Sequence, residues 1–185
     1  MMHGSFYPTL IQLLVLSLLG LSVSSSYGET LSSPFAVKAT ILPGCILGSG
    51  TADSNSFGTL NFGNVSSLAT AINIVSSQNA GSIIIQCSGT PSITLALNSG
   101  ANTTGNISAG RRLLNSTTGE YLFYQIFQDS ARSVIWGNGS NGGTAQVISA
   151  NSTLQQIILY AQLFATSALP TAGNYTDTLL VTVTY

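Results

Sequence analysis

Apolar and polar residues alternate with a period of two over several short stretches of this chain, and no window carries a helical period. Residues 92–98 are the cleanest case, with Ile93, Leu95 and Leu97 on one face and Ser92, Thr94 and Asn98 on the other. Near the C-terminus Leu179, Val181, Val183 and Tyr185 alternate with Thr178, Thr182 and Thr184. β-branched residues on both faces of such a repeat suit a half-buried antiparallel strand. Further strands are predicted over 35–42 (ended by Pro43-Gly44), 57–63, 72–75, 82–87, 121–127, 133–136 and 154–164. The last is long enough for a helix, but Ile157, Ile158, Tyr160 and Phe164 favour a strand. Gly/Asn/Ser/Thr clusters at 98–105 and 137–143 are loops. About eight short strands at this spacing predict one all-β, immunoglobulin-like sandwich, with no repeat, linker or second domain.

The N-terminus breaks the pattern. Residues 10–21 form one apolar run, shorter than the roughly 20 residues of a membrane span, and small residues follow at 22–26 and Gly28. Residues 1–28 are therefore expected to be an export signal, although no Lys or Arg precedes the run. Removing them removes His3, the sole histidine.

Composition narrows the function. Lys and Arg number 4 and Asp and Glu 5, so only 5% of the 185 residues are charged, while 44% are hydrophobic. An ordinary soluble domain carries roughly 25% charged residues. The net charge of −1 excludes a basic face for nucleic acid or an anionic membrane surface. A mean hydropathy of +0.40 excludes disorder. A surface of Ser, Thr, Asn, Gln and Gly resists association poorly, which suits a protein meant to associate.

Cys45 and Cys87 are the only cysteines. Two thiols without histidine cannot complete a tetrahedral metal site, and their spacing is not that of a redox pair. In an exported chain they are expected to form a structural disulfide, contributing on the order of 4 kcal/mol by loop closure.

Catalysis finds little support. Without histidine the commonest general base is missing. Lys38 falls in a strand pattern where an outward solvated position is the plainer reading than a Ser–Lys dyad. Glu120, Asp129 and Asp177 resemble turn and strand-end carboxylates more than a glycosidase pair. Arg111-Arg112 is expected at a solvated edge, and Tyr121, Tyr124 and Trp136 in the core rather than stacked on sugar. Gly137-Asn138-Gly139 precedes no helix and holds no phosphate. No cofactor and no metal are expected. Asn-x-Ser/Thr triplets begin at Asn64, Asn102, Asn106, Asn115, Asn138, Asn151 and Asn174.

An ordered series of motifs spans nearly all of the chain after the export segment. It runs from Phe35-Ala36-Val37-Lys38 and Gly44-Cys45 through Phe57-Gly58-Thr59-Leu60-Asn61-Phe62-Gly63 and Ile83-Ile84-Ile85-Gln86-Cys87. Arg111-Arg112-Leu113-Leu114, Tyr124, Gln128-Asp129 and Trp136-Gly137 come next, then Gly173-Asn174-Tyr175-Thr176-Asp177-Thr178 and the C-terminal Val181-Thr182-Val183-Thr184-Tyr185. This series resembles the spore coat protein U domain family and, within it, the subunits of archaic (Csu-type) chaperone–usher pili. The loop at 137–143 fits least well.

The resemblance implies an immunoglobulin-like pilin sandwich that lacks its last strand and is completed by donor-strand complementation. It implies a periplasmic chaperone, an outer-membrane usher and neighbouring pilin subunits as partners, in a homo- or hetero-polymer. It also implies export through the periplasm to the cell surface, with a role in attachment and biofilm formation. The residues fit at two places. The strand through Leu179, Val181, Val183 and Tyr185 is followed by no further strand, so its edge is expected to accept a foreign one. Leu31, Phe35, Val37, Ala39 and Ile41 form an apolar stripe ahead of Cys45 that can add to a sheet edge. Residues 31–37 are expected to donate and 38–42 to serve as the domain's own first strand. The domain plan is thus 1–28 signal, 29–44 donor segment and first strand, and 45–185 sandwich. Two alternatives are a tip adhesin binding carbohydrate or a surface around Trp136 and 137–143, and a spore coat protein.

Overall fold

The computed structural model describes Pro34 and residues 36–42, 44–48 and 56–185. Residues 1–28, expected as an export signal, together with Leu31 and Phe35, lie outside the described residues. The chain divides into two units, Met1–Thr40 and Ile41–Tyr185, and all described strands belong to the second.

The fold is all-β, with ten strands among the described residues and antiparallel pairing throughout their ladders. One sheet has the order β1 (Cys45–Gly48), β3 (Ile83–Cys87), β8 (Gln155–Ile157). A second has β10 (Val181–Thr184), β4 (Ser92–Leu97), β7 (Gln146–Ser149). The third has β2 (Ile72–Val75), β9 (Tyr160–Leu163), β6 (Tyr121–Phe127), β5 (Arg111–Leu114). The central strands β3 and β4 supply the most deeply buried apolar residues: Ile83, Ile85, Ile93, Leu95 and Leu97 are fully enclosed. Each such side chain contributes roughly 1.5–3 kcal/mol by leaving water. Trp136 is also fully enclosed and donates its indole N–H to the Leu95 carbonyl at 3.0 Å, so its one polar atom is satisfied.

Cys45 and Cys87 face each other in the β1–β3 register and are joined by a disulfide. The bond closes a separation of 42 residues and ties an edge strand to the centre of its sheet.

The stretch 154–164, expected as one strand, is two strands in different sheets. The chain steps across at Ile158-Leu159, where Leu159 is buried. Its N–H donates to the Ser76 hydroxyl at 2.8 Å, and its carbonyl accepts from the Ser76 N–H at 2.9 Å. Those bonds satisfy the backbone groups that leave the ladder.

Residues 36–42, expected to include the domain's first strand, join no ladder. Val37, Ile41 and Leu42 are 81%, 88% and 76% exposed. A period-two stripe makes a strand only where a sheet edge receives it, and among the described residues the first strand is instead β1. Nor is 57–63 a strand. Gly58 alone bridges to Ala80, with φ +81°, and a Cβ there would lie 2.3 Å from the Asn79 carbonyl oxygen. Within 133–136 only Ile135 and Trp136 make isolated bridges. Strands β5 and β7 were not expected from the pattern; both are four residues long.

Candidate functional site

Strand β10 hydrogen-bonds to β4 on one side, with Val181 opposite Leu97 and Val183 opposite Leu95. Among the described residues no strand pairs with its other side. Beside the start of β10 lies an apolar groove of about 450 Å³. The core residues Ile83, Leu97 and Ile126 form its base. Leu179 and Val181 line it from the β10 side, and Phe57, Leu60 and Phe62 from the irregular 57–63 segment. Enclosed core side chains thus lie directly beneath the groove that the β10 segment borders.

The segment leading into β10 is held by a polar cluster that includes two of the groove's lining residues, Asp177 and Tyr124. Asp177 accepts from the Tyr124 hydroxyl through Oδ2 at 2.6 Å. Its Oδ1 accepts the main-chain N–H groups of Ala101 at 2.9 Å and Asn102 at 3.2 Å, and the Asn102 amide at 3.1 Å. Gly100 stands against this carboxylate with φ +91°, and a Cβ would lie 2.2 Å from Oδ2. Asn98 adds a stitch, its Oδ1 accepting from Leu180 N–H at 2.9 Å while its own N–H donates to the Leu180 carbonyl at 3.1 Å. Burial, reinforced by the bond to Asp177, pushes the Tyr124 hydroxyl well above the usual tyrosine range. The proton therefore stays on Tyr124 and is donated to Asp177.

Arg111 corrects the expectation of a solvated arginine pair, for it is fully buried. Its guanidinium donates to the carbonyls of Asn98 at 2.9 Å and Trp136 at 2.7 Å and to the Gln125 side chain. Gln125 in turn donates to the Ile107 carbonyl at 2.7 Å. Burial pulls the Arg111 guanidinium below the usual arginine range, opposed by Tyr124 and Asp177. Arg112, the next residue along β5, is exposed and lies 5.4 and 5.6 Å from the ring centroids of Tyr121 and Phe123. Alternation along the strand sends the two arginines to opposite faces. Tyr124 and Trp136 are in the core as expected, whereas Tyr121 is 43% exposed.

The other expected residues separate. Leu179 and Val181 line the groove; Val183 is half-buried against the core and Tyr185 is exposed. Val37 and Ala39 are exposed outside any ladder. Of the carboxylates, Glu120 accepts from the Tyr175 hydroxyl at 2.6 Å and Thr171 N–H at 2.9 Å, and Asp129 organises the Ser133–Val134 turn. Among the described residues no three His, Cys, Asp or Glu come together as metal ligands. Two of the Asn-x-Ser/Thr asparagines are committed to the fold: the Asn102 amide donates to Thr176 and Asp177, and Asn115 is buried. The groove itself, which joins residues from seven separate parts of the chain, had no signal in the pattern beyond the unpaired C-terminal strand.

A model of the Spore Coat Protein U domain matches residues 31–182. The chain belongs to the spore coat protein U domain family. Protein U of Myxococcus xanthus is 26% identical over 169 residues, covering 88% of this chain and 89% of that protein. Among solved structures, similarity extends to a chain of the CsuC–CsuE chaperone–tip adhesion subunit pre-assembly complex from the archaic chaperone–usher Csu pili of Acinetobacter baumannii. That likeness has a TM-score of 0.49 and 23% identity, covering 79% of this chain and 41% of the other. The spore coat protein U match begins at Leu31 and ends at Thr182, so it takes in Phe35, Val37, Leu179 and Val181 and stops short of Val183 and Tyr185.

Proposed function

We infer that this protein is a structural subunit of an archaic chaperone–usher pilus that polymerises by donor-strand exchange. The observation that carries the reading is the apolar groove beside the unpaired edge of β10. An open strand edge beside an apolar groove is a template for another chain, so a chain that presents one needs a partner to cover it. An extended donor satisfies both needs, its backbone completing the β10 ladder and its alternate side chains filling the groove. The stripe Leu31, Phe35, Val37, Ala39 has the required period, and the described residues of 36–42 belong to no ladder. Leu179, Val181, Val183 and Tyr185 form the acceptor edge. Donation from one copy to the next is a heterologous contact and builds an open filament.

On this reading residues 1–28 are an export signal, 29–44 carry the donor segment and 45–185 form the pilin body. A periplasmic chaperone covers the groove first, an outer-membrane usher exchanges it for a neighbouring subunit, and the filament serves attachment and biofilm formation at the cell surface.

The test uses the purified full chain and a fluorescent peptide of residues 31–41. Val37→Asp is expected to stop polymerisation while leaving peptide uptake intact, and Val181→Asp to abolish uptake. A stable monomer indifferent to the peptide would overturn the reading.

A further inference from the structure

The groove is lined mainly by apolar residues, and among its lining Asp177 and Tyr124 are joined by a hydrogen bond. Strand β10 is an edge strand, held laterally by β4 alone among the described residues. Its entry is nonetheless fixed from three directions. Asp177 reaches β6 through Tyr124 and the 100–102 turn through Ala101 and Asn102. Just before it, Thr176 bridges Leu114 of β5, with hydrogen bonds of 2.9 and 3.0 Å. One carboxylate therefore links the third sheet to the strand that borders the groove.

We propose that Asp177 and Tyr124 are positioning residues for strand uptake, a latch that holds the β10 edge in line and keeps the groove open to the incoming strand. This rests on the reading of the groove as a strand acceptor. An edge that drifts into the groove closes it, and the β4 ladder with the Asn98–Leu180 bonds restrains it from one side only. The carboxylate opposes that drift by fixing the backbone four residues before Val181. Gly100 is part of the same device, since any side chain there meets Asp177. Burial keeps the Tyr124 proton in place, so the bond is a directed O–H donation to a carboxylate.

The experiment places Asp177→Asn, Tyr124→Phe and both together in the full chain carrying Val37→Asp, so that no copy occupies its neighbour's groove. Affinity for the 31–41 peptide is measured alongside residue-resolved amide hydrogen exchange. Each single variant is expected to weaken peptide binding at least tenfold and to speed exchange across Val181–Thr184, with no change across Ile83–Cys87. The double variant is expected to be no worse than the weaker single. Ile85→Val, which loosens the core away from the groove, is expected to leave peptide affinity unchanged. Tyr124→Phe removes one bond and no volume of the ring, and it decides the matter if Asp177→Asn fails to fold. Wild-type affinity and unaltered β10 exchange in that variant would overturn the latch while leaving the acceptor reading intact. A parent chain that ignores the peptide would overturn the acceptor reading, and the exchange data would then judge the latch alone, unchanged β10 protection refuting it.

Discussion

The guanidinium of Arg111 donates to the main-chain carbonyl of Trp136 at 2.7 Å, inside a core otherwise built of isoleucine, leucine and aromatic side chains. The same group satisfies the partly buried Asn98 carbonyl and the buried Gln125 side chain, so it serves several main- and side-chain acceptors at once. Arg111→Ala strands them and is expected to cost about 3 kcal/mol. Arg112→Ala, on the exposed face, is expected to cost less than about 1 kcal/mol. Urea unfolding of the two variants measures the difference; equal losses would contradict the burial assignment.

The cysteines give a second expectation. The unreduced, denatured protein is expected to show no free thiol by thiol titration. Cys45→Ser with Cys87→Ser is expected to lose about 2–4 kcal/mol in chemical denaturation.

Gly100→Ala introduces a side chain at φ +91° and against the Asp177 carboxylate. Strain and clash together are expected to cost more than about 1 kcal/mol. Faster amide exchange at Ala101 and Asn102 would accompany it, since those N–H groups lose their acceptor.

Acid sensitivity is expected from Glu120 and Asp129. Hydrogen bonding from Tyr175 and then from Thr171 holds the Glu120 carboxyl below its ordinary value of 4.5. The Val134 N–H, with Ser133, holds Asp129 below 3.8. A carboxyl with a lower pKa in the folded state binds fewer protons there than when unfolded. Its contribution is therefore full above the ordinary value and is lost as pH falls through the folded one. Melting temperature is expected to fall on acidification below about pH 4.5, and Glu120→Gln to make that fall shallower.

Much of this fold was legible where a strand packs one face on the core. Residues 92–97 alternate in sequence, and Ile93, Leu95 and Leu97 are the enclosed positions. Periodicity speaks only for one strand at a time, however. It could not show that 154–164 changes sheets at Leu159, because that step depends on Ser76, far away in sequence. It made a strand of 57–63, where Gly58 bends the chain away from any ladder. Arg111 misled for a similar reason, since charge alone argued for water and the carbonyls that enclose it come from Asn98 and Trp136. At the groove, Leu179 and Val181 were marked by their alternation. Asp177 was not, because its importance lies in Tyr124 and the 100–102 turn.

The disulfide also fixes how the molecule carries mechanical load. Tension applied through the segment before Cys45 enters the fold at that residue and crosses the sulfur bridge to Cys87. It continues from Ser88 onward, so the covalent path bypasses residues 46–86 with β1, β2 and β3. Those strands cannot be peeled off by a pull from the N-terminal side while the bridge is intact. Under such a pull the extensible length is shortened by the whole bridged loop, and the load falls on β4 and the strands C-terminal to it.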